Sequence, residues 1–473
     1  MQSKYIHYSN LSSRLDPLYY LSDLAIFTDR QITASIGELC SSMYSGFAAG
    51  KETQVKKESG YIQIRPTNIM PDGRLSFEKN VYVPKNRNYT FIPQKAVLFN
   101  NTNSQELVGK TAILDLPNED QYYCSNHITV IIPDQTKLIP EYLWIILNLY
   151  QRRTIFYSIC TNWNNQSGVN VNLLKSVRIP IFSKEANVSL DYQRKIVAIW
   201  LEAFSVERTK EQEAKDLLDS IDDYLLSELG IERPERTENG RFFYTSFKEI
   251  EGKRIDPYYN HPYFKKAYNS LHKTPYPVLR LGQLSTLIAS GSTPPSGGED
   301  YTTKENGIMF VRSGDITNDC NIIDSSDMLY ITKECHNTKM RQSQLRYGDI
   351  LIAIVGATIG AVNIYNYNAE ANINQAIALV RLKSGINELF ITEQLRSSIG
   401  RLNLEHQKRP VARANINLDE IAQMELILPP LEIQDKIAEN IQSIRDQAKY
   451  LQQEAKEIIN NAKQKIEQMI LGK

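Results

Sequence analysis

The chain has 473 residues, of which 42% are hydrophobic, and 54 basic and 54 acidic side chains give it a net charge of zero. This apolar content excludes a disordered chain, and no run approaches the ~20 apolar residues of a membrane span. The five cysteines are scattered and never spaced C-x-x-C, which excludes a disulfide framework and a zinc site. Without a signal-peptide pattern at the start, we expect a reduced, cytoplasmic protein of about three domains.

Residues 1–186 predict a mixed α/β globule. Short β-branched and aromatic runs at 61–65, 96–99 and 128–132 alternate with polar loops, and a helix-like pattern follows at 141–153. Residues 187–236 instead carry apolar positions at helical spacing, which predicts a long helix ending near Gly230. Trp200 and Phe204 on this helix either leave an apolar surface for a partner protein or pack within the chain.

The same two kinds of segment then follow again. Residues 237–428 predict a second globule, with strand-like runs at 308–311, 350–355 and 376–380. Residues 429–473 predict a second long helix with a heptad seam. The seam comprises Ile437, Ile441, Ile444, Ala448, Leu451, Ala455, Ile458 and Ala462.

Four motifs occur twice, in the same order and 240 to 247 residues apart. RLDPLYY at 14–20 returns as RIDPYY at 254–259, and IRPTNI at 64–69 returns as VRSGDI at 311–316. NVNL at 170–173 returns as NINL at 415–418, and LDYQRKI at 190–196 returns as LEIQDKI at 431–437. The chain is therefore a tandem duplication, which indicates a partner or substrate with two similar halves.

The duplication predicts an α/β (α+β) fold in which two mixed α/β globules are separated by two long helices. A narrow-seamed helix has too little apolar surface to bury alone, so we expect the helices to form an antiparallel coiled coil with internal pseudo-twofold duplication. The alternative is that each helix lies on its own globule.

No complete catalytic motif is present. GKT at 109–111 lacks the earlier glycine of a phosphate-binding loop, since Ser104 occupies that position. GATIG at 356–360 is spaced wrongly for a dinucleotide or adenosyl cofactor. DPLY and DPYY resemble the base-gripping loop of amino-methyltransferases but lack its second proline, so a structured lead-in segment is favoured. We expect no cofactor, metal or catalytic residue.

Polar loops beside basic residues suit a surface that reads DNA. Asn can pair with adenine and Arg or Lys with guanine, while Ser, Thr and Lys hold phosphates; ordinary turns are the alternative. The candidate DNA-binding residues are Lys51, Lys56, Lys57, Asn100, Asn101, Asn103, Asn164, Asn165, Thr293, Ser296, Arg312, Lys408, Arg409 and Arg413. The rings of Trp163 and Tyr123 could stack on bases, although a core position is favoured.

The order globule–helix–globule–helix resembles the specificity subunit of type I restriction-modification systems. RIDPYY at 254–259, VRSGDI at 311–316, GDIL at 348–351, NQ at 374–375 and LPPLEIQ at 428–434 carry the resemblance, which spans essentially the whole chain. The first copy departs from the pattern, with IPIF at 179–182 and RPTN at 65–68. This departure weakens the assignment of residue roles in the first half.

The resemblance implies two target-recognition domains, at 1–186 and 237–428, that read the halves of a split, asymmetric sequence in double-stranded DNA. The helical spacers at 187–236 and 429–473 would fix the gap and dock methyltransferase subunits, two of them expected, and restriction/translocase subunits. Candidate partner-binding residues are Trp200, Phe204, Ile437, Ile441 and Leu451. The chain itself would have no catalytic activity and no membrane partner.

Three alternatives to this interpretation remain. The chain could serve a related restriction enzyme whose partner fuses methylation and cleavage. It could be a coiled-coil adaptor whose globules bind protein. A self-sufficient methyltransferase would require cofactor binding that no motif supports.

Overall fold

The computed structural model describes residues 32–85, 88–116, 121–163, 166–233, 242–251, 254–316, 328–356, 358–407 and 415–471. The chain forms two compact units. Unit 1 comprises Met1–Lys210 and Gln453–Lys473, and unit 2 comprises Glu211–Gln452. The units do not follow the four consecutive segments, which stay a prediction. Of the helices described, none is long and apolar enough to cross a membrane.

Unit 1 builds its globule from short elements and then enters a long helix. The elements are β1 (Thr33–Ser35), α1 (Ile36–Leu39), β2 (Cys40–Ser45), β3 (Tyr61–Ile64), β4 (Tyr82–Val83), β5 (Val97–Asn100), β6 (Thr102–Asn103), β7 (Thr111–Ile113), β8 (Tyr123–Cys124), β9 (Ile128–Pro133), α2 (Pro140–Arg152), α3 (Ile155–Ile159), β10 (Thr161–Trp163), β11 (Gln166–Gly168), α4 (Val171–Ser176), β12 (Arg178–Pro180) and α5 (Ala186–Glu228). Single 3-10 turns lie at Lys51–Thr53, Lys57–Ser59 and Pro66–Asn68.

The main sheet of unit 1 has four antiparallel strands in the order β2-β9-β5-β7. A second sheet, β4-β3-β8, contains the parallel pair β3–β8, and two small sheets join β10-β11-β6 and β1-β12. Helix α2 covers the main sheet because its residues from Tyr142 to Tyr150 are almost all buried. Pro140 suits the first turn of this helix, where no backbone donor is needed. The mixed, mainly antiparallel globule that the sequence predicted is confirmed.

The core of unit 1 keeps its thiols unreactive, as the buried Cys124 illustrates. Burial raises the pKa of the Cys124 thiol to about 12, so the thiolate forms only in strongly alkaline solution. We expect iodoacetamide at pH 8 to alkylate Cys124 roughly a thousandfold more slowly than an ordinary cysteine. Mass spectrometry of the alkylated protein measures this rate, with the urea-unfolded chain as the control. Equally fast labelling of the folded chain would contradict the buried placement.

Unit 2 repeats the main part of this order and adds helices of its own, at Pro262–Leu271 and Lys333–Asn337 among others. The elements are α6 (Phe247–Ile250), α7 (Pro262–Leu271), β13 (Val278–Arg280), α8 (Leu281–Leu284), β14 (Ser285–Ser290), β15 (Tyr301–Thr302), β16 (Ile308–Val311), β17 (Leu329–Ile331), α9 (Lys333–Asn337), β18 (Ile350–Ala353), β19 (Val362–Ile364), β20 (Ala371–Ile373), β21 (Ile377–Leu382), α10 (Glu388–Arg396), α11 (Ser398–Gln407), α12 (Leu418–Ala422), β22 (Glu425–Ile427) and α13 (Leu431–Leu471). Further 3-10 turns lie at Lys304–Asn306, Ser313–Asp315 and Arg341–Ser343.

The main sheet of unit 2 matches that of unit 1 strand by strand, whereas the β10-β11-β6 sheet has no counterpart among the described residues of unit 2. The sheet β14-β21-β18-β19 corresponds to β2-β9-β5-β7, and the pair β13–β22 corresponds to β1–β12. The parallel pair β16–β20 corresponds to β3–β8 and again lies within a mostly antiparallel sheet. The duplication seen in the sequence is therefore a duplication of the fold.

Each unit holds a stretch of both long helices, and in each unit the two stretches are antiparallel. In unit 1, Lys210 of α5 lies 2.9 Å from Glu454 of α13, between Nζ and Oε2. In unit 2, Asn440 donates to the Tyr224 hydroxyl (2.7 Å), and Lys436 lies 3.3 Å from Glu228. Position numbers fall along one helix as they rise along the other, so the predicted antiparallel pairing is confirmed.

The predicted heptad seam of α13 is buried in both units. Ile437 and Ile441 are fully buried in unit 2, together with Ala448, while Ala455 and Ala462 are buried in unit 1. Alanine at every second seam position from Ala448 to Ala462 lets neighbouring helices approach closely. Between Ala186 and Glu228, α5 is one continuous helix.

One glutamine in each copy ties a long helix to its globule, which explains part of the repeated motif. Gln193 Oε1 accepts from the amide of Ile139 (2.8 Å), at the start of α2. Gln434 Oε1 accepts from the amide of Asn387 (3.0 Å), at the start of α10. Both glutamines are fully enclosed, so they satisfy amides that the first turn of a helix leaves without partners.

Candidate nucleic-acid interface

Two polar loops that are far apart in the sequence form one small sheet in unit 1. Strand β6 pairs with β11, where Thr102 faces Gly168, and β11 pairs with β10 in a hairpin. The loops predicted at 100–105 and 162–167 therefore lie side by side. Asn164 and Asn165 lie outside the described residues.

The asparagines of the first loop support the interface from inside. Asn100 is fully buried, and its amide donates to the carbonyls of Thr102 (3.0 Å) and His127 (3.1 Å). Asn101 is also buried and donates to Thr129 Oγ1 (3.0 Å). Both side chains are largely enclosed, in contrast to the surface position predicted from the sequence, because their amides satisfy neighbouring backbone and hydroxyl groups; Asn101 also lines the cleft described below.

Asn103 is only half-buried, but its side chain is also engaged within the loop. Its amide donates to Asn100 Oδ1 (2.8 Å), and its carbonyl oxygen accepts from the amide of Ser104 (2.9 Å). The loop is thus held in one conformation by its own asparagines, which is a known alternative to regular backbone pairing for this residue type.

Trp163 presents its indole at the surface. The side chain is 46% exposed, which makes the favoured core position wrong for Trp163, whereas Tyr123 is fully buried as favoured. The six-membered ring rests on Gly168, because a Cβ added there would collide with the indole. Within the hairpin, Ser167 Oγ donates to Asn162 Oδ1 (2.6 Å). Glycine and the hydrogen-bonded hairpin therefore hold the ring in place.

A cleft of about 380 Å³ opens beside this ring. Trp163, Val169 and Val171 supply apolar surface, and the polar side chains of the lining are Ser45, Asn101, Thr102, Thr161 and Asn170. Among the described residues that line the cleft, none carries a charge. A site with this lining suits a neutral group, since a phosphate would find no compensating cation there.

The predicted lysines lie on an exposed loop of unit 1. Lys51 begins one 3-10 turn, and Lys56 and Lys57 lie at the start of the next. All three are exposed, and the amide of Val55 between the turns donates to the carbonyl of Tyr82 (2.9 Å). The loop is thereby anchored on the edge of the β4-β3-β8 sheet with its cations towards solvent. Contact with DNA phosphates stays a prediction for these residues.

Along the chain, an aromatic stack lies between the cleft and the lysine loop. Phe47 lies two residues after Ser45, which lines the cleft, and its ring stacks on Tyr89 with centroids 3.6 Å apart. Gly46, between Ser45 and Phe47, passes so close to the carbonyl of Cys124 that no side chain would fit. The sequence analysis missed Phe47 and Tyr89. Aromatic residues flanking a basic loop were the available signal.

In unit 2, Thr293 and Ser296 are exposed on the loop that corresponds to the lysine loop. Thr293 hydrogen-bonds through its hydroxyl to the side chain of Gln375. Gly291 corresponds to Gly46 and passes the carbonyl of Ile373 in the same way. The two copies therefore share this approach of the loop to the sheet.

Arg312 has an ion-pair partner within its own turn. Its guanidinium lies 3.0 Å from the carboxylate of the buried Asp315, which also accepts from the Arg312 amide (2.8 Å). In unit 1, Asn68 takes the place of Asp315 and accepts from the amide of Arg65 (2.9 Å). The departure of the first copy from the family pattern thus preserves the turn. Arg312 stays a predicted DNA contact, although its guanidinium is already partly used.

Lys408, Arg409 and Arg413 lie outside the described residues, but the chain leading to them is well held. Arg254 donates to the carbonyl of Gln407 (2.8 Å), and the Tyr259 ring stacks on His406 with centroids 4.1 Å apart. Asp256 accepts from the amide of Tyr259 (2.9 Å) and closes the turn. The DPYY motif of the second copy is therefore the structured lead-in that the sequence favoured.

The GKT segment at 109–111 is not a phosphate-binding loop. Lys110 is buried, and its ammonium donates to the carbonyls of Ile69 (2.7 Å) and Pro66 (3.1 Å). Burial lowers the pKa of this ammonium. Lys110 therefore stabilises the interior of unit 1.

The predicted partner-binding residues are mostly internal. Trp200 is buried against Trp144, and Ile437 and Ile441 belong to the core of unit 2, so none of these three forms an exposed docking surface. Phe204 is half-buried beside Trp144 and stays a candidate. Leu451 is half-buried and stays a candidate. The long helices expose other apolar side chains that the sequence analysis did not assign to partners: Val188, Tyr192, Val206 and Tyr450. Leu201, next to Trp200, is also exposed.

Comparison with known proteins assigns the family. The sequence model described as the type I restriction modification DNA specificity domain matches residues 33–216 and again residues 274–467. The putative type I restriction enzyme MjaX specificity subunit of Methanocaldococcus jannaschii is 26% identical over 378 residues, covering 79% of this chain and 77% of that protein. The EcoBI specificity subunit of Escherichia coli is 29% identical over 159 residues, covering 33% and 32%.

A solved structure supports the fold. A chain from work on complex assembly and conformational transition of the type I R-M system superposes with a TM-score of 0.55. It is 17% identical, and the match covers 94% of this chain and 97% of that one. Two matched domains account for most of the chain, each on one copy of the duplicated fold. The chain therefore belongs to the type I restriction modification DNA specificity domain family.

Proposed function

We propose that this chain is the DNA sequence-specificity subunit of a type I restriction-modification system and reads a bipartite, asymmetric target. One observation carries the proposal: the same fold occurs twice, with different side chains at equivalent positions of the candidate interface. Asn101 and Thr102 of unit 1 correspond to Ile354 and Val355 of unit 2. Two equivalent surfaces with different chemistry suit two different half-sites.

The proposal assigns catalysis to partner subunits. The family resemblance implies that two methyltransferase subunits modify adenine and that restriction/translocase subunits cleave DNA, in the cytoplasm. Exposed apolar side chains on the long helices, such as Tyr192 and Leu201, support a docking role for these helices. A near-neutral subunit can bind DNA in such a complex when its partners supply much of the positive charge.

Methylation-aware sequencing tests the proposal. The chain is co-expressed with the methyltransferase encoded beside it, and the host DNA is sequenced for modified adenine. We expect methylation within one split, asymmetric motif, and truncation after Gly230 should alter or abolish it. A stable complex without motif-specific methylation would contradict the specificity-subunit proposal and favour an adaptor.

The lysine loop leads to a quantitative prediction. Replacing Lys51, Lys56 and Lys57 by Gln should weaken binding to target and scrambled duplexes alike, because phosphate contacts carry no sequence information. The negative slope of log affinity against log salt should become shallower by ~0.9 for each phosphate that the variant no longer neutralises. Fluorescence anisotropy at several salt concentrations measures both effects.

Lys137→Gln is the matched control for this triple variant. Lys137 is a half-exposed lysine of unit 1 whose ammonium lies 2.9 Å from Asp134. Its replacement should leave the salt slope unchanged. An unchanged slope in the triple variant as well would remove these lysines from the DNA interface.

A further inference from the structure

We propose that the cleft beside Trp163 receives one nucleobase of the bound DNA, unstacked from its neighbours, and that the indole stacks on it. This inference rests on the proposed function and names Trp163 as a specificity-determining residue for one half-site. The chain contains three tryptophans, and both others, Trp144 and Trp200, are buried in the core of unit 1. Trp163 is thus the tryptophan available to a ligand.

The charge of the lining decides which part of DNA fits. Phosphate oxygens need cations or several donors. The described lining of this cleft has no cation, and the Thr102 hydroxyl and the Asn101 amide already donate within the fold. Lysines are instead presented on the separate loop at 51–57. A neutral cleft with apolar walls of Trp163, Val169 and Val171 matches the neutral, planar base.

The ring is held as a stacking platform. One part of the indole lies against Gly168, and the hairpin that carries it is fixed by the Ser167–Asn162 hydrogen bond. A fixed ring loses little conformational entropy when it binds, so stacking contributes more to affinity. The base must leave the stack, because both faces of a base inside a duplex are covered by its neighbours.

Polar groups at the cleft can read the edge of such a base. The Thr161 hydroxyl makes no hydrogen bond to any side chain or carbonyl of the described residues, and Thr161 is exposed. Asn170 uses its carbonyl oxygen to cap α4, accepting from the amide of Leu173 (2.9 Å), which leaves its NH₂ group as a donor. One hydroxyl and one amide donor beside a stacking ring are the groups by which unstacked bases are recognised.

The second copy differs at this site, so the inference concerns unit 1. Counted from the equivalent N-caps of α4 and α12, Gly168 corresponds to Asn415, two residues out of step with the NVNL/NINL match in the sequence. Thr102 pairs with Gly168 beneath the ring, and Val355 forms a single bridge with Asn415 in unit 2. Because Gly168 is replaced by asparagine, a ring could not rest on the backbone there as it does in unit 1.

A cycle of two changes tests the inference once the target is known. The chain in complex with its methyltransferase, as wild type and as Trp163→Ala, is titrated against the target duplex and against duplexes with one abasic position each. Trp163→Ala should weaken target binding roughly ten- to a hundredfold, the range found for removing one stacked base. At one abasic position this penalty should disappear. Trp163→Phe, which keeps a ring, should retain most of the affinity.

The outcomes of this experiment separate a failure of the inference from a failure of the proposed function. A penalty that is absent, or equal on every abasic duplex, would overturn the inference and leave Trp163 a structural residue of the hairpin. Equal wild-type affinity for target and scrambled duplexes would instead refute the proposed function itself. Thermal unfolding of the Trp163→Ala complex, expected to match wild type because the ring is half exposed, separates a loss of stacking from a loss of folding.

Discussion

Replacing Glu393 by Gln should lower the free energy of unfolding of unit 2 by about 3–5 kcal/mol. Glu393 on α10 is 1% exposed at its side chain and binds two guanidinium groups. Arg396 Nη1 lies 2.8 Å from Oε1, and Arg445 Nη2 of α13 lies 2.6 Å from Oε2. Removing the carboxylate leaves two cations without their counter-charge in the protein interior. Urea unfolding, followed by circular dichroism, measures the loss.

Glu439→Gln provides the matched control for Glu393→Gln. Glu439 is an exposed carboxylate on the same helix α13, and its replacement should change stability by no more than about 0.5 kcal/mol. Equal, small effects of both variants would mean that the carboxylate of Glu393 is not the anchor between α10 and α13 that its distances indicate.

The two copies join helix to globule differently at this position. In unit 1, Ile145 corresponds to Glu393, counted from the helix starts that Gln193 and Gln434 bind. Phe204 corresponds to Arg445, counted from LDYQRKI and LEIQDKI. Phe204 there belongs to an aromatic cluster with Trp144, whose ring centroid lies 6.2 Å away. Apolar packing thus replaces a buried ion pair. The stability of unit 2, with its buried ion pair, should therefore depend more on each single partner than the stability of unit 1, with its apolar contact.

The duplicated architecture was predictable because it depends on local periodicity. The heptad positions of α13, from Ile437 to Ala462, define the buried face of a helix without any knowledge of its neighbours. The pairing of the copies followed from repeated motifs such as RIDPYY. Such signals survive in a single sequence since each reflects the regular geometry of one element.

The interface could not be predicted to the same extent, because it depends on pairing between distant segments. The β6–β11 contact joins Thr102 to Gly168, and no local pattern encodes that register. Asn100 and Asn101 were read as surface groups, since asparagine in a polar loop usually is exposed. Only the fold shows that their amides fill hydrogen bonds inside the unit. A core position was favoured for Trp163 because tryptophan is highly buried on average.

Gly46→Ala should strongly lower the free energy of unfolding of unit 1. Gly291→Ala should do the same in unit 2. A Cβ at either position would fall well inside the van der Waals radius of a carbonyl oxygen, that of Cys124 or of Ile373. Neither glycine has a positive φ, so the cost is purely steric. Forcing the backbone apart should cost about 3 kcal/mol, the upper end of overpacking effects.

The functional result of these two variants tests whether both units are needed. Each substitution displaces the loop that follows it, which carries Lys51 in one copy and Ser296 in the other. We expect either variant, co-expressed with its methyltransferase, to lose motif-specific methylation, because a bipartite site requires both readers. Gly314→Ala is the control: its Cβ meets nothing within 4 Å and its φ is not positive, so the motif should persist. Unchanged methylation in either loop variant would mean that one unit alone sets the target.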